Sequence, residues 1–160
     1  MKKMLLVALC SLLVACGFQL RGTASLPFEK IYVSAPEGHP IGAELRRAIQ
    51  SGSNTLVLDN SQDTEATLQI ISAVNSKNLL SVSGSGRVRE FQLHYRTSFR
   101  LTDEKGRKLI PTSKITVTRV IPFSDSLVLA KQSEERMLIR EMRSDSIQQI
   151  IRRLEKVQLQ

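Results

Sequence analysis

Residues 88–102 read VREFQLHYRTSFRLT, and this stretch limits the fold more tightly than any other. Phe91, Leu93, Tyr95, Phe99 and Leu101 alternate with Glu90, Gln92, His94, Arg96, Ser98 and Arg100. A period of two over that length specifies a long strand with one buried face and one hydrated face. ITVTRVI at 115–121, stopped by Pro122, supplies an antiparallel neighbour. The connection through Pro111 reads as longer than a tight hairpin. DEKGR at 103–107 and SGSGR at 83–87 read as turns.

The apolar side of such a sheet needs a cover. Ile41 to Ser51 carries Ile41, Leu45, Ala48 and Ile49 at helical spacing, with Gly52 as a stop signal. From Asp125 a long helical segment sets Leu138, Met142, Ile147, Ile150, Ile151, Leu154 and Val157 in one stripe. Glutamates and arginines fill its other faces. Three more strands are expected: Lys30–Ser34, Thr55–Leu58 and Thr67–Val74. In the last of these Leu68, Ile70 and Val74 share one side, and Leu79–Ser83 could extend it. The order β-α-β-β-β-β-α implies an α+β layer fold with the helices on one face of the sheet. The other face is more polar, which an antiparallel sheet permits, and it is a surface that could dock on a partner. There is no internal repeat.

The first fifteen residues read as a secretory signal peptide. Lys2 and Lys3 form a positive head, Met4 to Val14 is apolar apart from Ser11, and Ala15 is small. The apolar stretch is too short to span a bilayer. Leu13-Val14-Ala15-Cys16 resembles the bacterial lipobox, which implies that Cys16 is lipidated and becomes the first mature residue. A thiolate can take a diacylglyceryl group as a stable thioether, and cleavage exposes an amine for a further acyl chain. Two or more chains anchor a protein firmly. Gly17, where aspartate would favour inner-membrane retention, points by the same resemblance to the outer membrane. Residues 16–28 then form a lipidated N-terminus and tether, and 29–160 a single domain. Cys10 leaves with the leader, so the two cysteines of the chain form no disulfide. Loss of Lys2 and Lys3 lowers the formal charge from +8 to +6, which suits an anionic partner.

No reaction chemistry assembles from the residues. His39 and His94 are isolated, with no second ligand at metal spacing. No GxSxG elbow occurs, and SGSGR lacks the spacing and lysine of a P-loop. Asp103-Glu104 and Glu134-Glu135 sit in a turn and on a charged helix, where solvation explains them. No catalytic or metal site is expected, and the few aromatics offer no stacking platform for nucleic acid. The basic residues stand out instead. Arg87 and Arg89 flank the glycine turn, Arg96 and Arg100 share the hydrated strand face, and Lys131 follows PFSDSLVLA. Arginine and lysine match phosphate groups as fork and point charge.

Three blocks carry a family resemblance: CGFQLRG at 16–22, VREFQLHYRTSFRL at 88–101 and VLAKQSEERMLIREMRSDSIQQIIRRL at 128–154. Together they resemble the LptE family of lipopolysaccharide-assembly lipoproteins across nearly the whole mature chain, with Gln19 where many relatives have histidine. The resemblance implies an α/β sandwich with two helices packed on one face of a mostly antiparallel four-stranded sheet. It implies N-palmitoyl and S-diacylglyceryl groups on Cys16 at the periplasmic side of the outer membrane. It implies a heterodimer with the β-barrel LptD, whose lumen the domain plugs, and binding of lipopolysaccharide without catalysis. Lys131 matches the basic position of the LAK block. Arg87 and Arg89 lie in the hairpin region where the family has a basic residue, and Arg100 is a further candidate. The rival reading is a pilotin-like or accessory lipoprotein of another outer-membrane complex.

Overall fold

The structure, a computed structural model, describes residues 24–123 and 128–158, and the side chains of these apart from 128–130. The leader, Cys16 with its lipids, and the expected helix start at Asp125 lie outside the described residues. The elements are β1 (Lys30–Ser34), α1 (Pro40–Gly52), β2 (Leu56–Leu58), β3 (Ala66–Val82), β4 (Val88–Asp103), β5 (Lys108–Pro122) and α2 (Val128–Leu154).

The alternating stretch is β4, and it has a strand on each side. The sheet runs β2-β1-β3-β4-β5. β1 is parallel to both β2 and β3, while β3, β4 and β5 are antiparallel. Leu93, Tyr95, Phe99 and Leu101 are buried on one side of β4, with Ile31, Val33, Leu68 and Ile70 beside them. Both helices cover that side. α1 contributes Ile41, Leu45 and Ile49; α2 contributes Met142, Ile147, Ile150, Ile151 and Leu154. Burying one such side chain contributes about 1.5–3 kcal/mol, so the sandwich rests on this layer.

Several expectations need correction. The sheet has five strands where the family resemblance implied four, because Leu56–Leu58 joins as a short parallel edge beside β1. β3 is unbroken over 17 residues. A bulge between Ile70 and Ser72 shifts its register, so Ala73 enters the core and Val74, 52% exposed, faces away from Leu68 and Ile70. One extra residue inverts the side-chain alternation beyond it. β5 begins at Lys108, directly after the turn, and Pro111 sits inside it at a register shift. β5 is an edge strand, where a missing N–H is tolerated. Residues expected to act as tether also pack on the fold. Phe28 is 2% exposed, and the Ala24 amide donates to the Gly52 carbonyl at 2.6 Å.

The two turns that flank β4 share one backbone. In SGSGR the Ser83 amide donates to the Arg87 carbonyl at 2.7 Å and the Gly86 amide to the Ser83 carbonyl at 2.9 Å. In DEKGR the equivalent bonds join Asp103 to Arg107 at 3.0 Å and Gly106 to Asp103 at 3.1 Å. Gly86 and Gly106 both have φ of 78°, the left-handed conformation that closes such a loop. The first residue of each turn accepts from the last amide: Ser83 Oγ at 3.1 Å and Asp103 Oδ1 at 2.7 Å.

Between the helices, Arg143 donates both arms to the Glu44 carboxylate at 2.7 Å each. At the start of α1, His39 Nδ1 accepts from the Ile41 amide at 3.2 Å, with Pro40 in the first turn. Gly42 follows because a Cβ there would meet the Ala35 Cβ at 2.7 Å. The His39 ring lies 6.5 Å from that of Tyr95. Burial, together with the Arg143 charge, lowers the His39 pKa. Burial also pushes the Tyr95 phenol up to about 12.

Two predictions follow from this packing. Thr97 and Ser146, both buried, join β4 to α2 through hydroxyls 2.8 Å apart. Thr97→Val should cost about 1–2 kcal/mol in urea unfolding by stranding the Ser146 hydroxyl, and adding Ser146→Ala should recover most of that loss. His39 must be neutral to accept at the cap. Its folded pKa lies below the ordinary 6.5, so the unfolded chain binds the proton more readily. The stabilisation is complete above that unfolded value and falls as pH drops through it toward the lower folded one. His39→Asn, which keeps a cap acceptor, should flatten that part of the pH–stability curve.

Candidate functional site

β3 leaves the core after Ala73, and its far end carries apolar side chains into solvent. Leu79 is 56% exposed, Leu80 45% and Val82 51%. The turn that follows sets Arg87 on the surface, and Arg89 comes next, exposed, beside a bulge between β3 and β4. The Arg89 carbonyl accepts from the Phe123 amide at 2.8 Å, which ties the end of β5 to this hairpin. Phe123 meets Phe91 edge to face, with ring centres 5.5 Å apart.

α2 brings its first turns to the same end. Lys77 Nζ lies 4.4 Å from the centre of the Phe91 ring and 2.6 Å from Glu135 Oε2. One turn earlier Lys131 Nζ meets Glu134 Oε2 at 2.8 Å. Lys131 thus lies in the first turns of α2, toward the hairpin end, while Arg87 and Arg89 lie at the hairpin itself. Arg100 does not belong with them. It stands eleven residues along β4 from Arg89, roughly 35 Å at the rise of a strand. It is exposed on the open sheet face, where its Nε donates to Gln69 Oε1 at 2.7 Å. Cys16 lies outside the described residues.

Sequence reading missed three parts of this end. Lys77 was not singled out, because the bulge at Ile70–Ser72 that turns it toward α2 has no clear sequence mark. The acidic partners Glu134 and Glu135 read as solvated charge, yet each holds a lysine. A groove of 610 Å³ also lies between Val82, Val88, Pro122 and Phe123, with Ser81 and Arg89 at its rim. Its only sequence signal was the run of aliphatic residues before the turn.

The open sheet face is mixed: polar side chains dominate β4, while Val74 on β3 and Val120 on β5 expose aliphatic carbon. Cross-strand neighbours there include Gln92 with Val120, His94 with Thr118, Arg96 with Thr116 and Ser98 with Lys114. His94 Nδ1 lies 3.2 Å from the Thr118 hydroxyl, and His39 is a helix cap. Among the described residues no group of three His, Cys, Asp or Glu could hold a metal ion, and no helix is long and apolar enough to cross a membrane. The hairpin end sets cations beside exposed aliphatic and aromatic carbon, an arrangement that can hold an anionic amphiphile.

The twin turns differ in charge. Desolvation acts to raise the Asp103 pKa, but the Arg107 guanidinium, 2.6 Å away, and the Arg107 and Lys105 amides outweigh it and hold the carboxyl below its ordinary range. At the other turn Ser83 occupies the acid's position, so Arg87 has no carboxylate within its own turn.

Comparison with known proteins follows from this geometry. Residues 28–154 match the family model described as LptE, Lipopolysaccharide-assembly. The chain is 29% identical to the LPS-assembly lipoprotein LptE of Yersinia enterocolitica, over 94% of this chain and 74% of that one. It is 30% identical to the LptE of Yersinia pestis, over 94% and 73%. The solution structure of an uncharacterized lipoprotein B from Nitrosomonas europaea superposes with a TM-score of 0.77 at 43% identity, covering 87% of this chain and 90% of that one. The crystal structure of the rare lipoprotein B from Shewanella oneidensis shares the fold, with a TM-score of 0.69 at 22% identity over 78% and 92%.

The acidic neighbours set how strongly this end holds anions. Glu134→Gln should release Lys131 and raise the salt needed to elute the chain from a phosphate resin. Arg87→Gln with Arg89→Gln should lower it. Such surface attractions are screened by salt, so elution position reads them directly, and an order independent of these substitutions would count against the site.

Proposed function

The chain belongs to the LptE lipopolysaccharide-assembly family, and on that premise we propose that it is an outer-membrane lipoprotein which plugs the LptD β-barrel and binds lipopolysaccharide. N-palmitoyl and S-diacylglyceryl groups on Cys16 anchor it at the periplasmic side. It forms a heterodimer with LptD, helps that barrel assemble, and assists lipopolysaccharide on its way to the outer leaflet.

The observation that carries this reading is the cationic hairpin end. Arg87 and Arg89 lie at one end of the sheet and Lys131 stands in the first turns of the helix that starts toward that end, while the N-terminal segment enters at the other. From Ala66, beside β1, to Val82 the strand rises roughly 50 Å, more than the roughly 40–45 Å of a bilayer with its headgroups. A domain tethered at the inner leaflet and standing in a barrel can therefore present these cations far from its anchor. The open face of the sheet, polar along β4, suits a polar barrel interior.

The mechanism is one of fit and electrostatics, with no bond made or broken. Lipid phosphates are bridged in the membrane by divalent ions. Arginine forks and a lysine ammonium compete for the same oxygens and loosen the packed lipid during transfer. Lys131 exchanges its contact with Glu134 for a phosphate. Arg87 and Arg89 approach from the turn. Arg100, on the open face, has no part in that cluster and meets the barrel wall.

A C-terminally tagged chain, isolated from detergent-solubilised outer membranes, should bring LptD with it. Recovery of no large β-barrel would defeat the plug reading, and recovery of a secretin would favour the pilotin-like alternative. Lys131→Asp should weaken lipopolysaccharide binding about tenfold, the scale of one charge-assisted contact, and leave recovery of the barrel unchanged.

A further inference from the structure

We propose that the exposed aliphatic tip of the β3–β4 hairpin receives the acyl chains of the bound lipopolysaccharide, so that the surrounding cations and this apolar tip form one amphiphile site. The inference rests on the lipopolysaccharide-binding reading and assigns a second, apolar half to it.

Two observations point the same way. Leu79, Leu80 and Val82, three large aliphatic side chains within four residues, are 45–56% exposed. Loops and hairpin ends in soluble domains ordinarily carry polar residues, and exposed apolar side chains of this size mark an interaction surface. Beside Val82 an open groove, lined by Val88, Pro122 and Phe123 but also by Ser81, Arg89 and Glu90, brings Arg89 to the border of these side chains; the Glu90 carboxylate there accepts from Ser81 Oγ at 2.7 Å.

Charge complementarity selects the occupant. A neutral apolar partner would gain nothing from arginines at its border. Arg87 and Arg89 are both exposed and stand within seven residues of Val82 in the chain. Lys77 lies over the Phe91 ring at 4.4 Å, so cation and hydrocarbon already meet at this end. In a phosphorylated glycolipid the phosphates lie close to the roots of the acyl chains. A surface that sets guanidinium groups at the edge of a hydrocarbon patch matches that order of chemistry. The acyl chain lies along Leu80 and Val82, and the phosphate stays at the arginines.

The test uses the full-length chain in living cells. A photo-crosslinking phenylalanine analogue replaces Leu80 or Val82, and in a comparison strain Ser133, which is exposed on α2 near Lys131. Irradiation should join lipopolysaccharide to all three positions. Mass spectrometry of the Leu80 and Val82 adducts should find the new bond on a fatty-acyl chain. Arg87→Glu with Arg89→Glu should cut those adducts about a hundredfold, as two charge-assisted contacts of about tenfold each are lost. Attachment at Leu80 and Val82 to the saccharide alone, to the barrel protein alone, or to nothing while Ser133 still captures lipid would overturn the acyl site and leave the phosphate reading standing. Capture of no lipopolysaccharide at any position, Ser133 included, would overturn the reading on which the site rests.

Discussion

A 16-residue strand with an apolar side chain at nearly every second position cannot stand in water uncovered on that side. In β4 the residues at stake are Leu93, Tyr95, Phe99 and Leu101, all buried. Two flanking strands satisfy its backbone, and two helices satisfy its dry face. The remaining architecture follows from that need. α1 reaches the sheet through the parallel half built by β1 and β2. α2, 27 residues long, crosses the antiparallel half. The Glu44–Arg143 pair joins the helices above Tyr95, and the Thr97–Ser146 hydroxyls join strand to helix below it. Neither polar link supplies the bulk of the stability, but each becomes costly if only one partner is removed.

The cover is incomplete, and its incompleteness is where function can reside. Strands 15–17 residues long outrun the helices at the hairpin end. There the sheet's helix-side face is finished by smaller devices: Lys77 over Phe91, Phe91 against Phe123, and the Glu135 carboxylate holding Lys77. These are partly exposed pairs, each contributing only fractions of a kcal/mol to stability. A ligand that offers better partners to the same side chains can displace them at little cost, whereas the two-armed Glu44–Arg143 pair holds by two hydrogen bonds of 2.7 Å.

Much of this was legible in the residues. Alternation in 88–102 gave β4 and its buried face, helical spacing gave both helices, and the chain's own element order contained all five strands. The family resemblance misled on their number, because a three-residue edge strand is the kind of element relatives gain or lose. Val74 was assigned to the wrong face for a different reason. A period-two pattern cannot register a bulge, and Ile70, Ile71, Ala73 and Val74 are all apolar, so nothing in composition marks where the alternation slips. That the glycine turn and the start of α2 both belong to the far end of the sheet was also foreseeable from the element order. Separation of Arg100 from them follows from strand length alone. The partners of the lysines were not foreseeable, because i,i+3 and cross-element pairs among several glutamates depend on rotamer and helix phase.

The twin turns show how little sequence change can separate a structural end from a binding end. SGSGR and DEKGR close by the same backbone bonds, with a glycine at the same left-handed position and an arginine last. They differ at the first residue. Aspartate at 103 accepts from the backbone and from the Arg107 guanidinium at once, so that turn neutralises its own arginine at the end of the sheet where β1 and β3 begin. Serine at 83 keeps the backbone bond and gives Arg87 no counter-charge within the turn. The fold is indifferent to the exchange, since either oxygen caps the loop. The electrostatics are not, because a guanidinium paired with a carboxylate attracts phosphate far less than one without. One oxygen-bearing side chain thus decides which end of β4 presents positive charge outward, and the turn without the acid is the one beside Leu80, Val82 and Lys131's end of the sheet.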